Sequence, residues 1–134
     1  MKKLRGYIFA RPFMGERAPQ HIQNIVLMDY CIKRGHKLLL AATEYAMQDS
    51  FMILESLLDD ISSIDGILFY SLFQLPTETS RRKSVYLRTL NQSKSLHFAV
   101  EGMSIFQTKD IDSVEQCVLV KATLDDCIST AKIY

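Results

Sequence analysis

Four short apolar runs, separated by stretches of helical periodicity, constrain this chain more than any other feature. The runs are Leu4–Ala10, Lys37–Ala42, Ile67–Ser71 and Leu96–Val100. Each is too short for a core helix, and each is apolar almost throughout. That pattern predicts strands buried on both faces. Pro12 ends the first run. Pro19 then stands where the first turn of a helix tolerates proline, and Gly35 is placed to close that helix after Arg34. Ser50 is a candidate cap for a second helix reaching Ser62, with Phe51, Leu54, Leu58 and Ile61 on one face. Asp65 and Gly66 make a turn before the third run, and Pro76 and Thr77 open a third helix that reaches about Gln92. The last third of the chain reads as a helix at Lys109–Glu115, a short fifth strand at Cys117–Val120 and a helix at Leu124–Ala131. Strand and helix alternate throughout. The expected fold is a three-layer α/β sandwich with a mostly parallel sheet of four to five strands, of the flavodoxin-like kind, with the first strand near the middle.

The chain has 134 residues and is 48% hydrophobic, enough for one domain with a real core. Sixteen basic and fifteen acidic residues leave a formal charge of +1. No single-sign block is longer than Arg81-Arg82-Lys83, which reads as a solvated helix face, with phosphate binding as the lesser alternative. This balance argues against a protein whose main task is to coat nucleic acid or an acidic membrane. Cys31, Cys117 and Cys127 are odd in number and lack paired spacing, which points to reduced thiols. The N-terminal apolar run is short and broken by Arg5, so neither a signal peptide nor a membrane span is expected. The expected location is the cytoplasm.

In a parallel α/β sheet, ligands bind beyond the carboxyl ends of the strands. That rule collects Arg11, Arg17, Gln20, His21, Glu44, Tyr45, Ser71, Gln74, Glu101 and Ser104 on one rim. Arg11 and Arg17 beside a helix N-terminus are suited to an anion, or to pairing with Glu16, Glu44 or Glu101. Glu44 and Glu101 are candidates for general acid and base, or for structural carboxylates facing arginines. His21 shares a helical face with Ile25, Met28 and Ile32, which is expected to meet the sheet. It reads equally as a neutral base or as a histidine satisfied by a loop carbonyl. A second stripe, Ile22, Val26 and Tyr30, is then left for a neighbouring element or a second copy, and the expected state is a homo-oligomer, most simply a dimer. His97 alternates out of phase with Leu96 and Phe98 and should face the other layer. The three histidines lack metal-ligand spacing, and no glycine-rich nucleotide fingerprint is present, so neither metal nor cofactor is expected.

Nearly the whole chain resembles a small bacterial family, the sporadic carbohydrate cluster proteins. The segments that carry this are RGYIFARPFMGERAPQHIQN, ATEYAMQDS, DGILFYSLFQLP and SLHFAVEGMSI. The resemblance implies a role in surface polysaccharide or O-antigen biosynthesis. A more distant likeness is to the catalytic domain of serine recombinases (resolvases and invertases). Tyr7 to Pro12 is similar to that family's first-strand motif, with Arg11 on its arginine, but Phe13 fills the place of the nucleophilic serine. The family's segment of one acid and two arginines falls on Phe73 to Thr77, where none of the three occurs. Serine-mediated phosphodiester transfer, and DNA as a partner, are therefore not expected. The leading expectation is a cytoplasmic protein that binds or transforms an anionic sugar or nucleotide-sugar at the rim. The alternative is a non-enzymatic interaction or regulatory subunit on a degenerate recombinase-like fold. Residual nucleic-acid binding is a third reading, against which the near-neutral charge counts.

Overall fold

The structure, a computed structural model, describes residues 2–12, 18–47 and 49–131, with side chains described through Lys121. The expected alternation is present: β1 (Lys3–Phe9), α1 (Gln20–Arg34), β2 (Lys37–Glu44), α2 (Met52–Asp59), β3 (Gly66–Phe69), α3 (Thr79–Asn91), β4 (Ser95–Phe98), β5 (Met103–Ile105) and α4 (Thr108–Ala131). The five strands form one sheet in the order β2-β1-β3-β4-β5. Every pairing is parallel except the last, where β5 runs antiparallel to β4. The molecule is thus a mixed α/β protein with a mostly parallel sheet.

The two faces of the sheet follow the pleat. Tyr7, Phe9, Ile67, Phe69, Leu96 and Phe98 point one way, into a core shared with Leu54 and Leu58 of α2, Val85 and Tyr86 of α3 and Val114 of α4. Leu4, Ile8 and Leu68 point the other way and meet Leu27, Tyr30 and Cys31 of α1. Tyr7 stacks edge-on against Phe9 and Phe69, with ring centroids 5.6 and 5.2 Å apart, which ties the middle of the sheet together. His97 faces the α1 side, as the alternation in β4 requires, and is 1% exposed.

Three expectations are corrected. Cys117–Val120 is not a strand: it lies within the continuous helix α4, where Cys117 and Val118 pack on the larger core. The fifth strand is the three-residue segment Met103–Ile105. The inward face of α1 is also different. It carries Gln23, Leu27, Tyr30 and Cys31, whereas Ile25, Met28 and Ile32 are 58%, 52% and 76% exposed. His21 is exposed with them. The reason lies at Gln23: its amide pairs with both backbone groups of Phe9, and this anchors that side of the helix to β1. Arg82 departs from the expected solvated face too, since it is buried and bridges to Glu115 of α4, with Nε and Nη2 at 2.8 and 2.9 Å from the two carboxylate oxygens.

Candidate functional site

The carboxyl ends of β1, β2, β3 and β4 lie on one rim, and six of the expected residues are held there by hydrogen bonds in two networks, Arg11, Tyr45 and Glu44 in one and Ser71, Gln74 and Glu101 in the other. β2 ends at Glu44, which is 1% exposed. Its Oε1 accepts the Tyr7 hydroxyl at 2.8 Å and the Leu54 N–H at 3.2 Å. Its Oε2 accepts the N–H groups of Tyr45 and Ile53 at 3.0 and 3.1 Å and the Ser50 hydroxyl at 3.4 Å. Ile53 and Leu54 are in the first turn of α2, so the carboxylate caps that helix where its free N–H groups concentrate positive charge. Burial and the Glu44 carboxylate push the Tyr7 hydroxyl far above the usual phenol range, so it acts as a fixed donor.

Glu101 has the equivalent role in the loop after β4. Its Oε2 accepts the Ser71 hydroxyl at 2.8 Å, and its Oε1 accepts the Leu72 N–H at 2.9 Å, at the start of a 3-10 turn, Leu72–Gln74. Ser71 and Gln74 form a reciprocal box around that turn: Ser71 Oγ accepts from Phe73 N–H, and Gln74 Oε1 accepts from the N–H groups of Tyr70 and Ser71. Gln74 then donates to Gln23 Oε1 at 2.9 Å, and Gln23 holds Phe9 and the carbonyl of Ala18. One buried polar chain therefore runs from Glu101 through Gln74 to the end of β1 and the start of α1.

Arg11 is committed as well. Its Nη1 donates to the carbonyl of Tyr45 and its Nη2 to that of Ser50, both at 2.8 Å, which clamps the loop after β2. The guanidinium lies 4.2 Å from the Phe9 ring and 5.1 Å from the Phe51 ring, and Arg81 stands 5.0 Å from the same Phe51 ring. Gln20, His21 and Tyr45 are exposed. Arg17 lies outside the described residues.

Ser104 does not belong to this assembly. It sits on β5 opposite His97, and its hydroxyl is 3.1 Å from His97 Nδ1 and 3.2 Å from the Tyr30 hydroxyl, on the α1 side of the sheet. His97 Nε2 is 2.8 Å from Ser95 Oγ. Burial, followed by the positive charges of His36, Lys2 and Arg34, lowers the His97 pKa to about 3 and keeps the imidazole neutral. Among the described residues, no group of three histidine, cysteine, aspartate or glutamate side chains could hold a metal ion. No helix of the described residues is long and apolar enough to cross a membrane.

Sequence reasoning missed Tyr7, Gln23 and Phe51, each essential to the rim. A glutamine at a helical position where leucine would serve was the available sign for Gln23. Two open grooves flank the rim. One, of about 580 Å³, is lined by Leu72, Phe73, Glu101, Met103, Cys117 and Lys121. The other, of about 600 Å³, is lined by Met47, Ser50, Phe51, Met52, Glu55 and Arg81 among others.

No family model matches the sequence, and no curated protein sequence matches it. Solved structures do. A resolvase family site-specific recombinase from Streptococcus pneumoniae superposes with a TM-score of 0.63 at 12% identity, covering 96% of this chain and 99% of that one. The N-terminal catalytic domain of TP901-1 integrase gives 0.60 at 14% identity, with 97% and 98% covered. The C-terminal catalytic domain of ISC1926 TnpA, an IS607-like serine recombinase, gives 0.54 at 14% identity, with 98% and 100% covered. None of these comparisons supports the carbohydrate-cluster resemblance. At such identities the likeness is one of architecture: the chain has the fold of serine recombinase catalytic domains.

Proposed function

We propose that this chain is a non-catalytic interaction or regulatory module, acting in the cytoplasm, built on a recombinase-like fold. The observation that carries this reading is how the rim side chains are used. Glu44 caps α2, Glu101 caps the 3-10 turn, Gln23 and Gln74 hold backbone groups, and Arg11 holds two carbonyls. Groups whose lone pairs and protons are engaged by the protein's own backbone serve rigidity before they serve turnover. The sequence agrees, because Phe13 stands at the serine position and Phe73 to Thr77 carry neither the acid nor the arginines of the recombinase pattern.

The competing reading is an anionic sugar or nucleotide-sugar at the same rim, in surface carbohydrate biosynthesis. There Arg11 and Arg17 would hold the anion, His21, Glu44 and Glu101 would handle protons, and Gln20, Tyr45, Ser71, Gln74 and Ser104 would line the pocket. Calorimetric titration and thermal shift of the full chain with a panel of nucleotide-sugars, and with a duplex DNA, separate the readings. The module reading expects no saturable heat and no shift in melting temperature from any of them. It also expects a stoichiometric partner in complexes isolated from the source cell. A saturable nucleotide-sugar isotherm would replace it with the small-molecule reading. Specific retention or nicking of the duplex would replace it with a nucleic-acid function.

A further inference from the structure

A cleft of about 420 Å³ opens between β2 and the C-terminal end of α2. A bulge in β2 shapes it. Arg5 pairs with Leu39 and Tyr7 with Ala42, so Leu40 and Ala41 stand opposite Gly6 alone. The carbonyl of Leu40, within this bulge, accepts Arg5 Nη1 at 2.7 Å. Arg5 is partly buried and lines the cleft. Among the described residues its guanidinium makes no other hydrogen bond and no ion pair. Asp60, the residue that closes α2, lines the same cleft. Its backbone is fixed: the N–H donates to the Ser56 carbonyl at 3.2 Å, and the carbonyl accepts the N–H and hydroxyl of Ser63 at 3.1 and 2.8 Å. Its carboxylate has no cation among the described residues. This is a costly place for an anion, because the free carbonyls of a helix C-terminus concentrate negative charge. The last turn of α2 contains no basic residue. Asp59 beside it is compensated by Arg88, at 2.6 Å, whereas Asp60 is not.

We infer that this cleft binds a free α-amino acid, with the carboxylate on Arg5 and the ammonium on Asp60 and the end of α2. Arg5 and Asp60 line one cavity yet form no ion pair with each other, and the Leu40 carbonyl holds the arginine in place. Each half of the cleft therefore calls for its opposite charge. The bond to Leu40 uses Nη1 and leaves the Nε–Nη2 edge, a fork that matches a carboxylate. The acid at the negative end of the helix calls for a cation. A ligand with one charge satisfies one half, and a zwitterion satisfies both. Ser62 adds a hydroxyl, and Ala42, Leu57 and Ile64 supply an apolar wall for a side chain. This inference stands apart from whatever the rim binds.

Titration calorimetry of the full chain with the protein amino acids, each at up to about 10 mM, tests it. At least one should bind one-to-one with a Kd of about 1 mM or tighter. For that amino acid, N-acetylation removes the ammonium and esterification removes the carboxylate charge. Each should weaken binding at least about tenfold, the least that losing a charge-assisted hydrogen bond should cost. Arg5→Gln, which keeps a donor for Leu40, and Asp60→Asn should each do the same. Asp60→Asn should also keep or raise the melting temperature of the unliganded chain, because it takes a negative charge from the helix end, so lost binding is separable from lost folding. Ile25→Ser, on the exposed side of α1, should leave binding unchanged. No saturable heat from any amino acid overturns the inference. So does binding that survives either substitution in the cleft, or binding indifferent to N-acetylation, which would leave a site for anions alone.

Discussion

Replacing Glu44 should show whether the rim is a built frame. In Glu44→Gln one acceptor oxygen survives and the other becomes an NH₂ group. Whichever way the amide turns, it points donors at backbone donors: at Tyr45 and Ile53 N–H on one side, or at Leu54 N–H on the other, where the Tyr7 hydroxyl would also have to turn and accept. An unsatisfied buried N–H or O–H costs about 1–3 kcal/mol, and a carboxylate at a helix N-terminus contributes about 0.3–1 kcal/mol more. The expected loss is about 2–4 kcal/mol for Glu44→Gln and about 3–5 kcal/mol for Glu44→Ala, of the size reserved for broken buried networks. Urea unfolding followed by circular dichroism measures both directly. The double variant supplies the sharper test. In Glu44→Ala the Tyr7 hydroxyl is orphaned, so adding Tyr7→Phe should restore about 1 kcal/mol, whereas Tyr7→Phe in the wild type should cost about 1 kcal/mol. Additive losses would refute the Tyr7–Glu44 coupling, and a Glu44→Gln protein within about 0.5 kcal/mol of wild type would refute the capping role and reopen Glu44 as a proton-transfer group.

Other consequences can be checked with the same unfolding assay. His97 has a folded pKa of about 3, below its unfolded value, so the unfolded chain binds the extra proton between those values. Stability should therefore be level above about pH 7 and fall as pH drops toward 5, by up to about 1.4 kcal/mol per unit, with His36 adding in the same direction; His97→Gln should flatten the slope. Glu115, held below the usual carboxylate range chiefly by Arg82, contributes stability that is present above its unfolded pKa and lost as pH falls through the folded one. Glu115→Gln should cost about 2–4 kcal/mol at neutral pH, because it removes the charge partner of a buried guanidinium whose other bonds go only to neutral groups, and should remove that acid-side loss. A side chain at Gly66 would overlap the carbonyl oxygen of Ser95 on the neighbouring strand, so Gly66→Ala should lower the urea midpoint by the equivalent of about 1–3 kcal/mol.

The order of elements was legible because each strand of the parallel block is a continuous apolar run and the first three helices have start signals at Pro19, Ser50 and Pro76. Gly35, at φ 68°, ends α1 where expected. β5 was hidden because three residues with a serine at the centre carry no run. It forms because Gly102, at φ 64°, lets the chain turn back on β4. The run Cys117–Val120 reads as strand by composition alone, and packing against the larger core made it helix. The face of α1 was misjudged for a related reason. Two apolar stripes competed, and the deciding residue was a glutamine, whose burial depends on the backbone of Phe9 being within reach. The rim residues could be gathered from topology, since carboxyl ends of parallel strands share an edge. Their roles could not, because whether Glu44 is a base or a cap depends on where α2 begins in space. Ser50 was the expected cap, yet its hydroxyl is only one more donor to Glu44.

The small reversal at β5 also sets the direction of everything after it. The first three helices each begin near the rim and run back along the sheet. β5 returns the chain to the opposite edge, with Ile105 beside Leu96 at the start of β4, so α4 sets out from there and travels toward the rim. It reaches the rim by Lys121, which stands against the Phe73 ring in the groove that also holds Glu101. The helix continues to Ala131, about 15 Å farther at roughly 1.5 Å per residue. A three-residue strand thereby turns the last helix into a mast, and a probe attached near Ala131 would report on the rim side of the molecule rather than on the edge where α4 begins.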